Sequence, residues 1–235
     1  MSLVTAAAAV AASMAIVSPV ASSPAATTPN PSAFVLERFQ PASQAQQAGA
    51  VTYDKRLVPT TAAVVVAELR FPHGMHDHHE KYHHGEERDH GEERDHGEGH
   101  DHGEEHDHGG RDHEKYRGTY VFLALRGVAP HHHFGIHVHT KPCGTKPDSS
   151  GPHYQNAKDP KQPSVNPTYA NPRNEVWLDL TTNGRGDGRS QSFVKWHFRP
   201  GEARSVVIHE HATSTKAGMA GMAGDRVACI NVPFK

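Results

Sequence analysis

Eight short β-type runs, separated by Gly- and Pro-bearing turns and accompanied by no convincing helix, limit what this chain can fold into more than any other feature. They are Val51 to Val58, Ala62 to Arg70, Thr119 to Arg126, Phe134 to Thr140, Glu175 to Thr182, Ser190 to Phe198, Ser205 to His211 and Val227 to Val232. Each is rich in β-branched and aromatic residues, and several alternate polar with apolar, the pattern of half-buried antiparallel strands. Turns such as Asn183 to Gly188 (NGRGDG) and Arg199 to Gly201 punctuate the series. The Arg-Gly-Asp inside the first reads as a polar hairpin turn rather than an adhesion motif. The series predicts an all-β domain of roughly 150 residues, a Greek-key barrel or sandwich of about eight antiparallel strands.

Two stretches fall outside the pattern. Leu3 to Val20 is almost continuously apolar and small, and Ser18 to Pro31 turns rich in Ser, Pro, Ala and Thr. Residues 1–33 therefore read as a signal peptide and flexible spacer, which places the protein outside the cell or in the cell envelope or periplasm. The apolar run is short for a membrane span, and no Lys or Arg precedes Arg38, so the usual basic start is missing. No cysteine follows the run, and no membrane anchor is expected once the signal is removed.

The second stretch, residues 76–114, approximates a repeated HGEERD unit, with His84, His90, His96, His102 and His108 each followed by Gly. It has almost no apolar residue to offset the entropy of ordering its backbone, and it reads as a disordered loop insert. The folded domain is thus expected in two parts, 34–75 and 115–235. The insert holds 15 Asp or Glu against 4 Lys or Arg, while the rest of the chain holds 11 against 20. The basic residues are scattered, without the aromatic interleaving of a nucleic-acid platform, so no nucleic acid is expected. A small anionic substrate accounts for the sign of the domain, and so does simple solubility.

The chemistry concentrates in FGIHVHTKPC, Phe134 to Cys143. In a strand, His137 and His139 point to one side and Val138 to the other. Two neutral imidazoles suit Cu, Zn, Ni or Fe, with affinity generally greatest at Cu(II); the plain alternative is a pair of exposed strand histidines. His153 in GPHYQ and His209 in SVVIHEHA lie on other segments, so only a folded barrel could gather them. The two cysteines, Cys143 and Cys229, read as one disulfide in an exported protein and as thiols in the cytosol. Closing that loop would stabilise the fold by about 4 to 5 kcal/mol on the chain-entropy model.

Taken together, FGIHVH, the G-x-H-Y of Gly151 to Tyr154, the V-x-H of Val207 to His209 and the G-x-R-x-A-C of Gly224 to Cys229 resemble the copper/zinc superoxide dismutase family. The resemblance covers about Val51 to Phe234 apart from the insert. It implies that His137, His139 and His209 are copper ligands, that His153 matches the family's copper–zinc bridging histidine, and that Cys143 pairs with Cys229. It also implies that Arg226 is the arginine that attracts and orients superoxide. His211 points to the same face as His209 and is its main competitor for the ligand role, the plainer reading being an exposed histidine at the rim.

The departure concerns zinc. Tyr154 to Asn174 contains no histidine, and Asp159 is its only carboxylate, so the usual four-ligand site cannot be assembled there. The expected centre holds copper only, similar to the zinc-less branch of the family. Glu175 is then a candidate to hydrogen-bond the free nitrogen of His153. The implied activity is that of a secreted antioxidant oxidoreductase, with His153 and Arg226 as catalytic residues and superoxide as substrate. The alternative is a non-catalytic copper- or zinc-buffering protein on the same fold. Thirteen histidines from His73 to His113 would add loose binding of metal ions. The triplet His131 to His133 is a candidate metal relay or, more plainly, a turn cluster. Nothing in the sequence fixes the oligomeric state.

Overall fold

The computed structural model describes residues 31–71 and 117–235. The signal-peptide reading up to residue 30 and the histidine-rich insert lie outside the described residues, while the end of the expected spacer is already folded: Ser32 N donates to the Glu68 carbonyl at 2.7 Å and Ala33 opens the first strand. Among the described residues, no helix is long and apolar enough to cross a membrane.

Ten strands form two sheets. One has the order β1 (Ala33–Arg38), β4 (Ala63–Phe71), β5 (Gly118–Arg126), β8 (Gly188–Val194). The other runs β2 (Gln40–Pro41), β3 (Ala50–Thr52), β10 (Arg226–Asn231), β9 (Ser205–His209), β6 (His133–His139), β7 (Leu180–Thr181). Every pairing is antiparallel except the short one between β2 and β3. The sheets face one another as an open sandwich and do not close on themselves. Phe71 pairs with Gly118, so the chain leaves β4 and re-enters β5 at adjacent ends of two neighbouring central strands. A long connection between such adjacent ends adds little closure entropy.

Period-two alternation builds the core. Val64 and Val66 of β4, with Val121, Leu123 and Leu125 of β5, meet Ile136 and Val138 of β6, Val206 and Ile208 of β9, and Ala228 and Ile230 of β10. Each large apolar side chain so buried stabilises the fold by about 1.5 to 3 kcal/mol. One core-facing position breaks the rule. Glu68 of β4 is fully buried; Oε2 accepts the Lys235 amide at 3.0 Å and Oε1 has no partner.

The predicted Ser190 to Phe198 strand ends at Val194 and the predicted Ser205 to His211 strand at His209, and three further corrections are larger. β1 and β2 lie before the first predicted run, and β1 gains its ladder from β4 through Ala33↔Glu68 to Arg38↔Ala63. The predicted Val51 to Val58 strand stops at Thr52, because the Asp54 carboxylate captures the Arg56 amide at 2.8 Å and turns the chain. The predicted Glu175 to Thr182 strand is reduced to Leu180–Thr181. Its earlier part runs along β6 and bonds to it through Leu178 N to Ile136 O at 2.7 Å. Its ladder fails because the Asp179 side chain, not a backbone carbonyl, accepts the Ile136 amide at 3.2 Å.

Candidate metal site

The strands that deliver Ile136, Val138, Val206 and Ile208 to the core present their odd-numbered residues on the opposite face. Gly135, His137 and His139 therefore stand on the outer side of the six-stranded sheet, and His209 pairs directly with Gly135 across the β6–β9 ladder. Gly135 is required there by close approach. A Cβ would come within 2.6 Å of the Ala223 Cβ and 2.8 Å of Thr213 Oγ1, in the loop that covers the site. His153 enters from the other side, on the loop after β6, where it forms an isolated bridge with His139.

His137, His139, His153 and His209 converge so that one ring nitrogen from each lies within 4.8 Å of the others. The partners of the remaining nitrogens settle the tautomers. His139 Nδ1 donates to the Gly151 carbonyl at 2.9 Å, His209 Nδ1 to the Gly224 carbonyl at 3.3 Å, and His153 Nδ1 to Glu175 Oε2 at 2.9 Å. Thr213 Oγ1 donates its own hydrogen bond to Asp179 Oδ1 at 2.8 Å, so it accepts from His137 Nε2 at 2.7 Å. Every one of these partners is an acceptor. That leaves lone pairs on His137 Nδ1 and on the Nε2 atoms of His139, His153 and His209.

This donor set fits a transition-metal ion. His137 Nδ1 is buried without a hydrogen-bond partner, and His139 Nε2 faces His209 Nε2 at 3.4 Å with no proton assigned between them. Such an arrangement is unfavourable by itself and becomes favourable around a cation. Burial, then the neighbouring imidazoles and Arg226, pushes His137 and His139 well below the usual histidine range. Burial likewise lowers His209 to about 3. The rings are thus held neutral and ready to ligate.

The carboxylate of Glu175 is buried and holds three donors: His153 Nδ1, Gln155 Nε2 at 2.7 Å and Trp177 Nε1 at 2.7 Å. Asp159 lies elsewhere in the loop, accepting from Ser164 Oγ at 2.6 Å and the Lys161 amide at 2.8 Å. His211 stays outside the cluster, with an exposed ring 3.6 Å from Glu210 Oε2. The triplet also stays outside: His132 Nε2 donates to the Glu210 carbonyl at 2.7 Å and His133 pairs with Thr181. Thr213, Asp179, Gln155 and Trp177 are the surrounding residues that sequence reasoning missed.

Arg226 begins β10 beside a register shift between Arg226 and Ala228, a bulge of the kind that re-aims a side chain. Its guanidinium donates to Ser150 Oγ at 2.9 Å and the Pro147 carbonyl at 3.2 Å. It lines, with His153, His209, Gln162 and Met222, a cavity of about 240 Å³. Cys143 and Cys229 are joined as a disulfide, Cα atoms 5.7 Å apart, which ties the loop after β6 to β10.

A family model described as copper/zinc superoxide dismutase (SODC) matches residues 109–232. Among solved structures, a double mutant of a SOD-like protein from Bacillus subtilis is 19% identical, covering 50% of this chain and 82% of its own, with a TM-score of 0.40. The clock protein EA4 is 15% identical over 89% of this chain and 98% of its own, with a TM-score of 0.45. No curated protein matches the chain. With the family match extending over more than half of the sequence, this chain belongs to the copper/zinc superoxide dismutase family.

Proposed function

We propose that this protein is an exported, copper-dependent superoxide dismutase whose metal centre holds copper without zinc. The observation that carries the reading is the convergence of four lone-pair imidazole nitrogens, two of whose rings, His153 and His209, line one small cavity with the Arg226 guanidinium. Copper, when bound, supplies the Cu(II)/Cu(I) couple by which one superoxide is oxidised to oxygen and a second, with two protons, is reduced to hydrogen peroxide.

The residues divide the remaining work. Arg226 keeps a permanent charge and a fork of donors for a small anion, and its bonds to Ser150 and Pro147 fix its position on the cavity wall. His137, His139 and His209 are held as neutral donors by burial and by their outer partners. His153 is the half-buried member, and it is proposed as the proton carrier, its Nε2 serving in turn as metal donor and as proton donor. Glu175 holds the opposite nitrogen of that ring, at the position where the family's second metal would bind. This protein-supplied partner supports the zinc-free reading. Export rests on the apolar start of the chain and the disulfide. The thirteen-histidine stretch is proposed to bind further metal loosely and to help load the centre.

The alternative, a metal buffer on a dismutase fold, is favoured by that same histidine stretch. Counting copper and zinc in the chain lacking 76–114, and assaying superoxide consumption, separates the two. Turnover with one copper and no zinc per chain is expected. Stoichiometric copper without turnover would favour the buffer. Removing 76–114 is expected to slow copper acquisition when the metal is scarce, and unchanged loading would remove that role from the segment.

A further inference from the structure

The loop between β9 and β10 contains Gly218-Met219-Ala220-Gly221-Met222-Ala223-Gly224, a tripeptide given twice and closed by a third glycine. The three glycines have φ of 75°, 80° and 78°, a conformation that side chains disfavour, so the chain turns at the same point of each repeat. The result is a sorting. Ala220 and Ala223 are buried, while Met219 and Met222 are 51% and 50% exposed. The geometry is pinned by hydrogen bonds from Met222 N to Met219 O at 3.0 Å, Ser214 N to Met222 O at 2.8 Å and Gly221 N to Ser214 O at 2.9 Å.

This loop forms the rim of the metal site. Met222 lines the cavity shared with His153, His209 and Arg226. A Cβ placed on Gly221, between the two methionines, would stand 3.7 Å from Cε1 and Nδ1 of the His153 ring. The other large apolar side chains exposed among the described residues, Phe34, Leu36 and Phe193, lie on strands of the four-stranded sheet, away from any cluster of ligands. Thioethers are soft, neutral donors that select monovalent copper over hard cations. They do not titrate, so they remain ligands in acid, where free imidazoles become protonated.

We infer that Met219 and Met222 form a docking site for Cu(I) at the mouth of the cavity, from which the ion passes to the histidine cluster. The transfer moves no electron and no proton at sulfur; Cu–S bonds are exchanged for Cu–N bonds at constant oxidation state. The inference rests on the copper reading of the cluster but can be tested apart from it.

The probe is Ag(I), a redox-inert stand-in for Cu(I), titrated into the metal-free full chain carrying 13C-labelled methionine methyl groups. The Met219 and Met222 methyl resonances are expected to move along one binding curve. Met219→Leu is expected to weaken the Met222 response about tenfold, a loss of 1.4 kcal/mol, and the reverse substitution to do the same. The M219L/M222L pair is expected to slow Cu(I) transfer from a chelator severalfold while final copper occupancy stays unchanged. Separate binding curves, silent methyl groups, or transfer at the unaltered rate would overturn the docking site. Electron paramagnetic resonance of the Cu(II)-loaded chain reads the cluster independently. A four-nitrogen spectrum with silent methionines sinks only this inference, whereas responsive methionines without that spectrum sink the copper centre and leave a surface Cu(I) site.

Discussion

The two faces of β6 and β9 are made by the same residues in alternation, yet they answer to opposite physical demands. On the inner face, Ile136, Val138, Val206 and Ile208 exclude water and contribute apolar burial. On the outer face, His137, His139 and His209 are equally buried, but burial works against them: it strips solvent from polar rings and leaves the His137 Nδ1 lone pair unmatched. One face stabilises the fold, and the other is held in place by it. Chemistry and stability are therefore separable along a single strand by a shift of one residue.

The largest effect should come from crossing that divide. Ile208→Ala is expected to cost about 2 to 5 kcal/mol in denaturant unfolding of the metal-free protein, by removing buried methyl groups from a packed core. His139→Ala is expected to abolish superoxide consumption and tight copper binding at a smaller cost in metal-free stability, because the cavity it leaves is partly offset by removal of a desolvated polar ring. A His139→Ala protein as destabilised as Ile208→Ala would break the comparison, because the outer face would then be part of the structural core.

The acid limb of the stability curve sharpens it. His209 is lowered from 6.5 to about 3 in the fold, so the unfolded chain binds the extra proton first. Its stabilising contribution is complete above about 6.5 and is lost as pH falls toward 3; His137 and His139, shifted the same way, steepen the loss. Urea midpoints of the metal-free protein are expected to fall on acidification through this window, and His209→Gln should flatten the slope. An unchanged slope in that variant would mean that the outer face does not control acid stability.

These contrasts show why part of the protein was readable in its sequence. Period-two alternation named β4, β5, β6 and β9, and the same alternation placed His137 and His139 together. The family motifs then added His153, His209 and the cysteine pair. What escaped depends on partners distant in sequence. Ala33 to Arg38 is an edge strand with Phe34 and Leu36 exposed; its six residues AFVLER follow directly on a Ser- and Pro-rich stretch, and only β4 beside them marks them as a strand. Thr213 and Asp179 are an ordinary hydroxyl and carboxylate, 34 residues apart, and acquire a role only when the β9–β10 loop folds over β6. No local pattern announces such a pair.

That pair supplies the next prediction. Thr213 accepts from His137 Nε2 and donates its own hydrogen bond to Asp179, which fixes the His137 tautomer with its lone pair at Nδ1. Thr213→Val keeps the side-chain shape but removes the acceptor. Copper affinity by chelator competition is expected to fall about 10- to 100-fold, with a shifted Cu(II) spectrum and little change in metal-free stability. Unaltered affinity would show that packing alone orients the ring.

The smallest effect concerns the one carboxylate on the inner face. Glu68 is buried, with Oε1 unpartnered, and burial raises its carboxyl above the ordinary range. The folded state therefore keeps its proton longer than the unfolded chain does. Here the sign is opposite to that of His209: stability contributed by the neutral acid is present below the unfolded value of about 4.5 and is lost as pH rises through the raised folded value. Glu68→Gln should remove this alkaline-side loss and stabilise the protein at pH 8 by about 1 kcal/mol, the scale of one unmatched buried acceptor. If instead the variant is less stable at pH 8 than the parent, the bond from the Lys235 amide to an ionised Glu68 is the stronger influence. The inner face would then hold its single charge for a structural purpose, as the outer face holds its imidazoles for a chemical one.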